Sequence, residues 1–234
     1  MLKDKFKLLK LFDWKLFVSL ICLALVPAII QTIETFVIST HVSTSGIDVI
    51  GQIEWFDLID EAIQAFLIIP LYSILNVILK RDKDRFPQAT FKTMIITFAL
   101  YTVFSIVVLI YSATLISYMN PNETDLTLVN SYLTTSTIAF IAGIIVSFVN
   151  VVFVVLGKSK NVYIFLAAKV VVTIISDFIL IPQFVVVGVA ISNVAINIIL
   201  AAVGLFILFK QKAIKVCWFK KEDLSIAKDW ARIG

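Results

Sequence analysis

Six apolar runs of membrane-spanning length constrain this chain more than any other feature. They cover roughly Leu16–Ile38, Trp55–Leu79, Phe91–Tyr118, Val129–Leu156, Val162–Ile181 and Val185–Phe209. A helix needs about 20 apolar residues to cross a hydrocarbon core of roughly 30 Å. Only 15% of the chain is charged and its mean hydropathy is +1.02, whereas a soluble domain carries about 25% charged residues. The expected fold is therefore all-α: a polytopic bundle of six transmembrane helices over residues 1–209. A basic segment follows at 210–234, where Leu224, Ala227, Trp230 and Ala231 recur at helical spacing with lysines between. It reads as an amphipathic connector helix at the membrane surface.

The basic residues set an orientation. They cluster before the first run, between the second and third runs, in the loop GKSKN and from Lys210 onward. With six spans all of these fall on one side, and Lys169 is the exception. The three opposite loops hold none. The positive-inside rule then places both termini in the cytoplasm, in a plasma or inner membrane. It also accounts for the net charge of +4, so nucleic acid is not expected as a partner and the lipid bilayer is. The opening MLKDKFKLLKLFDWK has no A-x-A-like cleavage site after it, so the first run is expected to be a retained helix. Cys22 and Cys217 lie too far apart in this topology to pair.

Polar groups inside the spans carry the rest of the information. A charge in hydrocarbon costs at least a few kcal/mol, which makes each one a functional candidate. Asp177 sits in FLAAKVVVTIISDFILI, with Thr173 and Lys169 behind it at steps of four, near one helical face. Pairing of Asp177 with Lys169 is the structural alternative to a cation or proton role. About 12 Å of helix axis separates the two. The first helix has Pro27, Gln31 and Glu34 on one face, and Pro27 is expected to kink it or free a carbonyl. The second opens with IEWFDLIDEAIQ, placing Glu54, Asp57, Glu61 and Gln64 at three-four spacing. That face is either a solvated helix end or an acidic vestibule that attracts cations. Asn150 lies deep in the fourth helix. Gly188, Asn193, Asn197, Ala201 and Gly204 form a small or amide stripe on the sixth. The stripe suits close packing with amide hydrogen bonds between helices, or for Asn193 a share in a polar site. Pro182, Gln183 and Phe184 read as a tight turn joining the last two spans.

Enzyme chemistry finds no support. The single histidine, His41, falls in an expected outer loop. No Cys/His metal cluster, Walker A loop, GxGxxG or GxSxG elbow occurs. No enzyme and no cofactor are expected. The sequon Asn122-Glu-Thr reads as a chance occurrence.

Several local patterns, in order, resemble those of the N-terminal lobe of multidrug and toxic compound extrusion (MATE) transporters. This family belongs to the multidrug/oligosaccharidyl-lipid/polysaccharide (MOP) flippase superfamily. Glu34-Thr35-Phe36-Val37-Ile38-Ser39 is similar to the family's D-T-[IV]-[FM]-[VA]-G. Gly157-Lys158-Ser159 is similar to G-[DK]-[ST]. Thr173 through Asp177-Phe178-Ile179-Leu180-Ile181 resembles N-x-x-x-D-[YPF]-x-[LF]-I. Val185 to Asn193, with Gly188, Ala190 and Ser192, resembles G-x-x-G-x-A-x-[AS]-[TN]. Asp229-Trp230-Ala231-Arg232-Ile233-Gly234 looks like the connector into a second lobe. The departures are Glu34 for an Asp, Ser19 for a kinking Pro, and Val185 for a Gly.

The resemblance implies a cation- or proton-binding group of Asp177, Glu34, Thr173, Asn150 and Asn193, with Na⁺ at Asp177 the only metal considered. Gln31, Gln64, Glu61, Asn197 and Lys169 are expected along a substrate pathway. The function implied is half of an ion-coupled antiporter that exports small cationic or lipophilic compounds by alternating access. A single lobe encloses no pathway, so the chain is expected to be a truncated lobe or to work with a second lobe or second copy. The alternatives are a lipid-linked saccharide flippase of the same superfamily and a non-transporting membrane scaffold.

Overall fold

The computed structural model describes residues 14–41, 44–119 and 126–218. They form six α-helices and, among the described residues, no strand: α1 (Trp14–His41), α2 (Thr44–Arg81), α3 (Phe86–Met119), α4 (Thr127–Val155), α5 (Ser159–Phe184) and α6 (Val187–Lys210). Each apolar run of the sequence is one of these helices, and all six are long and apolar enough to cross a membrane. The chain is a multi-pass membrane protein. At about 1.5 Å per residue, the 38 residues of α2 reach well beyond a hydrocarbon core. The basic N-terminal stretch, the Asn122 sequon and the amphipathic segment after residue 218 lie outside the described residues.

Helix α4 is the hub. It packs against α6 most extensively, then against α3 and α2, and touches α5. Its sequence suits the position: it carries no charged residue, and from Ile138 to Val155 it is almost wholly apolar. Helix α1 rests on α5 and barely meets α2, so the bundle is open along the α1–α2 seam.

The buried apolar residues separate into two clusters. One gathers Leu71, Phe148, Phe153 and Leu208 toward the basic end. The other gathers Ile38, Phe56, Leu133 and Val189 toward the far end. A belt of polar side chains lies between them, and the candidate site is built there.

Helix α3 contributes a hydroxyl stripe. Thr90, Thr93, Thr97, Ser105 and Ser112 are buried on one face with Tyr101 among them. Each of these Ser and Thr hydroxyls donates to a carbonyl three or four residues back, as in Thr97 to Thr93 at 2.8 Å. Small self-satisfied hydroxyls let α3 approach its neighbours closely without orphaned polar groups. The chain thereby packs its helices closely despite having only 7 glycines.

The structure corrects the expected hairpin turn. Pro182 lies inside α5, which runs to Phe184, and the reversal is made by Val185 and Val186. Proline in the final turn removes one hydrogen bond near the helix end, where few remain to be lost. The chain reverses at Val185, whose φ is 55°. A β-branched residue at positive φ with ψ −142° is a genuine outlier, in a region that is essentially glycine's alone, and costs roughly 1–3 kcal/mol. The substitution Val185→Gly is therefore expected to stabilise the fold by about 1 kcal/mol once glycine's greater unfolded-state entropy is subtracted. A rise in the thermal midpoint of the detergent-purified protein checks this, and a fall contradicts it. The expected kink at Pro27 is not accompanied by a break, because α1 is continuous across that position.

The first residues after α6 are not helical. Ala213 and Ile214 are buried, the Lys215 N–H donates to the Pro87 carbonyl at 3.0 Å, and Cys217 Sγ lies 3.7 Å from the Gln88 carbonyl. The segment is a strap across the start of α3. Residues 211–218 are not helical, so the expected connector helix does not begin at residue 210; its helical pattern, Leu224 to Ala231, lies outside the described residues. Cys22 and Cys217 are both free.

Candidate cation site

Asp177 is fully buried on α5, at 0% exposure. Neither of its carboxylate oxygens has a hydrogen-bond partner, and the same holds for Thr173 Oγ1, one turn along α5, and for Ser192 Oγ on α6. Ser192 is the donor that faces the Asp177 carboxyl across the α5–α6 contact. An unpaired buried carboxyl costs several kcal/mol. A carboxyl so placed in a membrane-spanning helix is a candidate site for a proton or a cation.

Glu34 approaches from α1. Asn193 Nδ2 on α6 donates to its Oε1 at 3.2 Å. Glu34 is half-buried beside the open α1–α2 seam, and it interacts electrostatically with Asp177, with Asp57 of α2 and with Lys169 of α5. Tyr132 of α4 closes the group. It is buried and lies within electrostatic reach of Glu34, Asp57 and Asp177. Four helices, α1, α4, α5 and α6, thus present two carboxyls, an amide, a phenol and two hydroxyls to one region. Hard oxygen donors of this kind suit H⁺ or Na⁺.

The structure therefore brings together four of the five residues expected at the site: Asp177, Glu34, Thr173 and Asn193. It does not bring Asn150 to them. Val149 and Phe165 both flank Gly204, so Asn150 lies level with Phe165. That is about three turns of α5, or about 18 Å, below Asp177. Asn150 is buried near the basic end, its Oδ1 unpaired.

The expected pathway residues divide. Gln31 is exposed and lines a shallow groove on α1 with Thr32, Thr35, Phe36 and Ser39. Glu61 is exposed on α2. Asn197 is a packing residue, its Nδ2 donating to the Ala139 carbonyl at 3.1 Å with Gly143 against it. Lys169 is half-buried, and its electrostatic partner is Glu34 and not Asp177.

A second polar group went unnoticed in the sequence. Asp60, 3% exposed, accepts from Tyr101 of α3 and from Gln64 Nε2 at 2.6 Å. It joins α2 to α3 at the level of the polar belt.

The helical fold has counterparts among solved structures. A crystal structure of a MATE mutant superposes on 94% of this chain with a TM-score of 0.82 at 17% identity, using 50% of its own length. The chain has the fold of half a MATE transporter. A MOP superfamily transporter from Pyrococcus furiosus, described as having reversed polarity in its binding pocket, gives 0.78 at 19% identity over the same shares. An outward-facing multidrug resistance MATE family transporter gives 0.78 at 19%, covering 93% of this chain and 49% of its own. The chain thus spans about half the length of the MATE structures it matches. No protein-family model matches the sequence, and no curated protein does.

Proposed function

We propose that the chain is the N-terminal lobe of a secondary active transporter. It exports small cationic or lipophilic compounds in exchange for H⁺ or Na⁺ across a plasma or inner membrane, with both termini cytoplasmic. The observation that carries this reading is the Asp177 carboxyl, fully buried and unpaired, next to Glu34 and Asn193. A cation there neutralises the carboxyl and lets α5 pack on α1 and α6; its release disfavours that packing. An equilibrium between two packings, biased by an ion, is what alternating access requires. A second lobe or a second copy completes the pathway. The groove on α1 and the α1–α2 seam offer polar surface that lipid does not solvate, which suits a cover of protein or a water-filled cavity.

The flippase alternative is less well supported. A lipid-linked pyrophosphate calls for cationic donors; among the described residues the interiors of the spans hold Lys92 near the basic end of α3 and Lys169, which is within electrostatic reach of Glu34.

Transport in proteoliposomes under imposed H⁺ or Na⁺ gradients tests the proposal. The Asp177→Asn variant is expected to lose ion-driven export by on the order of tenfold or more, equivalent to about 1.4 kcal/mol. Unchanged export and unchanged ion dependence in the variant would remove Asp177 from the coupling role.

A further inference from the structure

Asp60 is a buried acid that the exchange at Asp177 does not use. It lies on α2, 3% exposed, and both of its carboxyl oxygens are engaged. Oδ1 accepts from the Tyr101 hydroxyl of α3, and Oδ2 accepts from Gln64 Nε2, one turn along α2, at 2.6 Å. Among the described residues no cation faces it. On its own helix the neighbouring charged groups are acids, Asp57 and Glu61. Helix α3 presents the Tyr101 phenol, and its buried Lys92 lies nine residues earlier, about 14 Å along the axis. Helix α4 carries no charged residue. Its Tyr132 phenol and Glu34 of α1 are within electrostatic reach of Asp57. Lys80 and Arg81 stand at the end of α2, about 30 Å away. The carboxyl is thus held between two helices by a phenol and a primary amide.

Those two partners have a property that lysine and arginine lack. An ammonium or guanidinium only donates, and so holds its carboxylate ionised, whereas a phenol and an amide can each donate or accept. We propose that Asp60 is a second proton-binding site of this chain, separate from Asp177 and selective for H⁺ over Na⁺. When a hydronium ion delivers its proton to Oδ2 and leaves as water, the Gln64 side chain turns its amide over. Gln64 Oε1 then accepts from the new O–H, while Tyr101 goes on donating to Oδ1, so no hydrogen bond is lost. The cost of a buried charge disappears at the same time. Na⁺ has no such entry. It needs a shell of free oxygen ligands, and both Asp60 oxygens are engaged, in contrast to the unpaired oxygens of Asp177. Protons reach the site along α2 itself. Glu54 is exposed, Asp57 half-buried and Asp60 buried, at successive steps of three residues. The site goes beyond the exchange at Asp177 and does not depend on it.

Infrared difference spectra of the full chain in lipid nanodiscs, recorded between acid and alkaline buffers, test the proposal. Only a protonated carboxyl shows the carbonyl stretch of a carboxylic acid. The native chain is expected to show a titrating acid band that saturating Na⁺ does not abolish. Asp60→Asn is expected to lose that band, and Asp177→Asn to keep it. Tyr101→Phe removes a donor to the ionised form, and is expected to hold the proton to a pH about one unit more alkaline. A carboxylate that only clamps α2 to α3 stays ionised wherever the chain is folded and gives no band. The proposal is overturned if the Na⁺-insensitive band is missing, if it survives in Asp60→Asn, or if Tyr101→Phe leaves its midpoint unchanged. Should Asp60→Asn not fold, the Tyr101→Phe shift measured on the Asp177→Asn background decides in the same sense. Export that depends on Asp177 stands whichever way this result falls.

Discussion

Replacing Gly188 by alanine is expected to destabilise the protein by about 3 kcal/mol, at the upper end of the usual cost of overpacking. A methyl group built on Gly188 would sit 2.6 Å from the Leu180 carbonyl oxygen and 2.7 Å from the Leu180 carbonyl carbon. No side chain can rotate away, because the obstacle is the backbone of α5. Either α6 moves out or the last turn of α5 opens, and the turn already contains Pro182 and the strained Val185. The consequence reaches the chemistry. Ser192 and Asn193 lie one turn along α6 from Gly188, so an outward shift of α6 withdraws the donors that face Asp177 and Glu34. Alanine at Gly204 is a useful contrast. There the added methyl meets Val149 Cγ1 at 2.7 Å and Phe165 at 3.1 Å, which are side chains with some freedom to repack. Thermal midpoints in detergent should fall in the order native, Gly204→Ala, Gly188→Ala, with cation binding lost mainly in the last. Equal midpoints for all three would mean that α6 is free to slide and that the hairpin does not hold the site.

Much of this architecture was legible without coordinates, for identifiable reasons. Hydrocarbon demands about 20 apolar residues per crossing, so six runs became six helices, with boundaries off by a few residues except at the start of α2, which begins at Thr44 and not near Trp55. The alignment of Thr173 with Asp177 follows from helical periodicity alone. The encounter of Glu34 with Asn193 does not, because those residues are far apart in the chain and only the packing of α1, α5 and α6 joins them. That pairing came from the family resemblance. Asn150 was misplaced because chemistry was weighed and depth was not. It lies five residues from the basic end of α4, whereas Asp177 lies near the opposite end of α5. Counting about 1.5 Å per residue from each helix end separates them. The turn was misread because proline was taken as a stop, while a membrane helix tolerates it near its end. Tyr132 was hidden in the polar start of α4, among Asn130, Ser131, Thr134, Thr135, Ser136 and Thr137. Its direction toward three carboxyls was not available from sequence.

Asp60 was missed for a subtler reason, and it supports the second large effect. Grouping the acids of α2 by the face of Glu54, Asp57 and Glu61 hid an equally good three-four series of Asp57, Asp60 and Gln64. The first series runs onto an exposed face, since Glu54 and Glu61 are both exposed, while Asp60 is buried. Removing the Tyr101 hydroxyl leaves the Asp60 carboxyl with Gln64 as its remaining partner, in a site closed to water. Hydrogen bonds to charged groups contribute about 1.5–3 kcal/mol. In membrane proteins the average interhelical value is smaller, about 0.6 kcal/mol with a maximum near 1.7, because the unfolded state finds other partners within the bilayer. Burial at 3% on Asp60 and 0% on Tyr101 places this pair toward the upper limit. Tyr101→Phe is expected to cost about 1.5 kcal/mol. Asp60→Leu, which deletes the acid itself, leaves the Tyr101 phenol and the Gln64 amide without their acceptor, both neutral groups, and should cost less. The double variant should cost less than the sum of the two, because neither the Asp60 carboxyl orphaned by Tyr101→Phe nor the phenol orphaned by Asp60→Leu survives in it. A double-mutant cycle read from thermal or denaturant unfolding gives the coupling directly. Additive costs would show that the contact between α2 and α3 does not depend on this bond. Substantial coupling would make Asp60 and Tyr101 the clamp that holds α2 against α3, so that opening along the α1–α2 seam is carried by α1 alone.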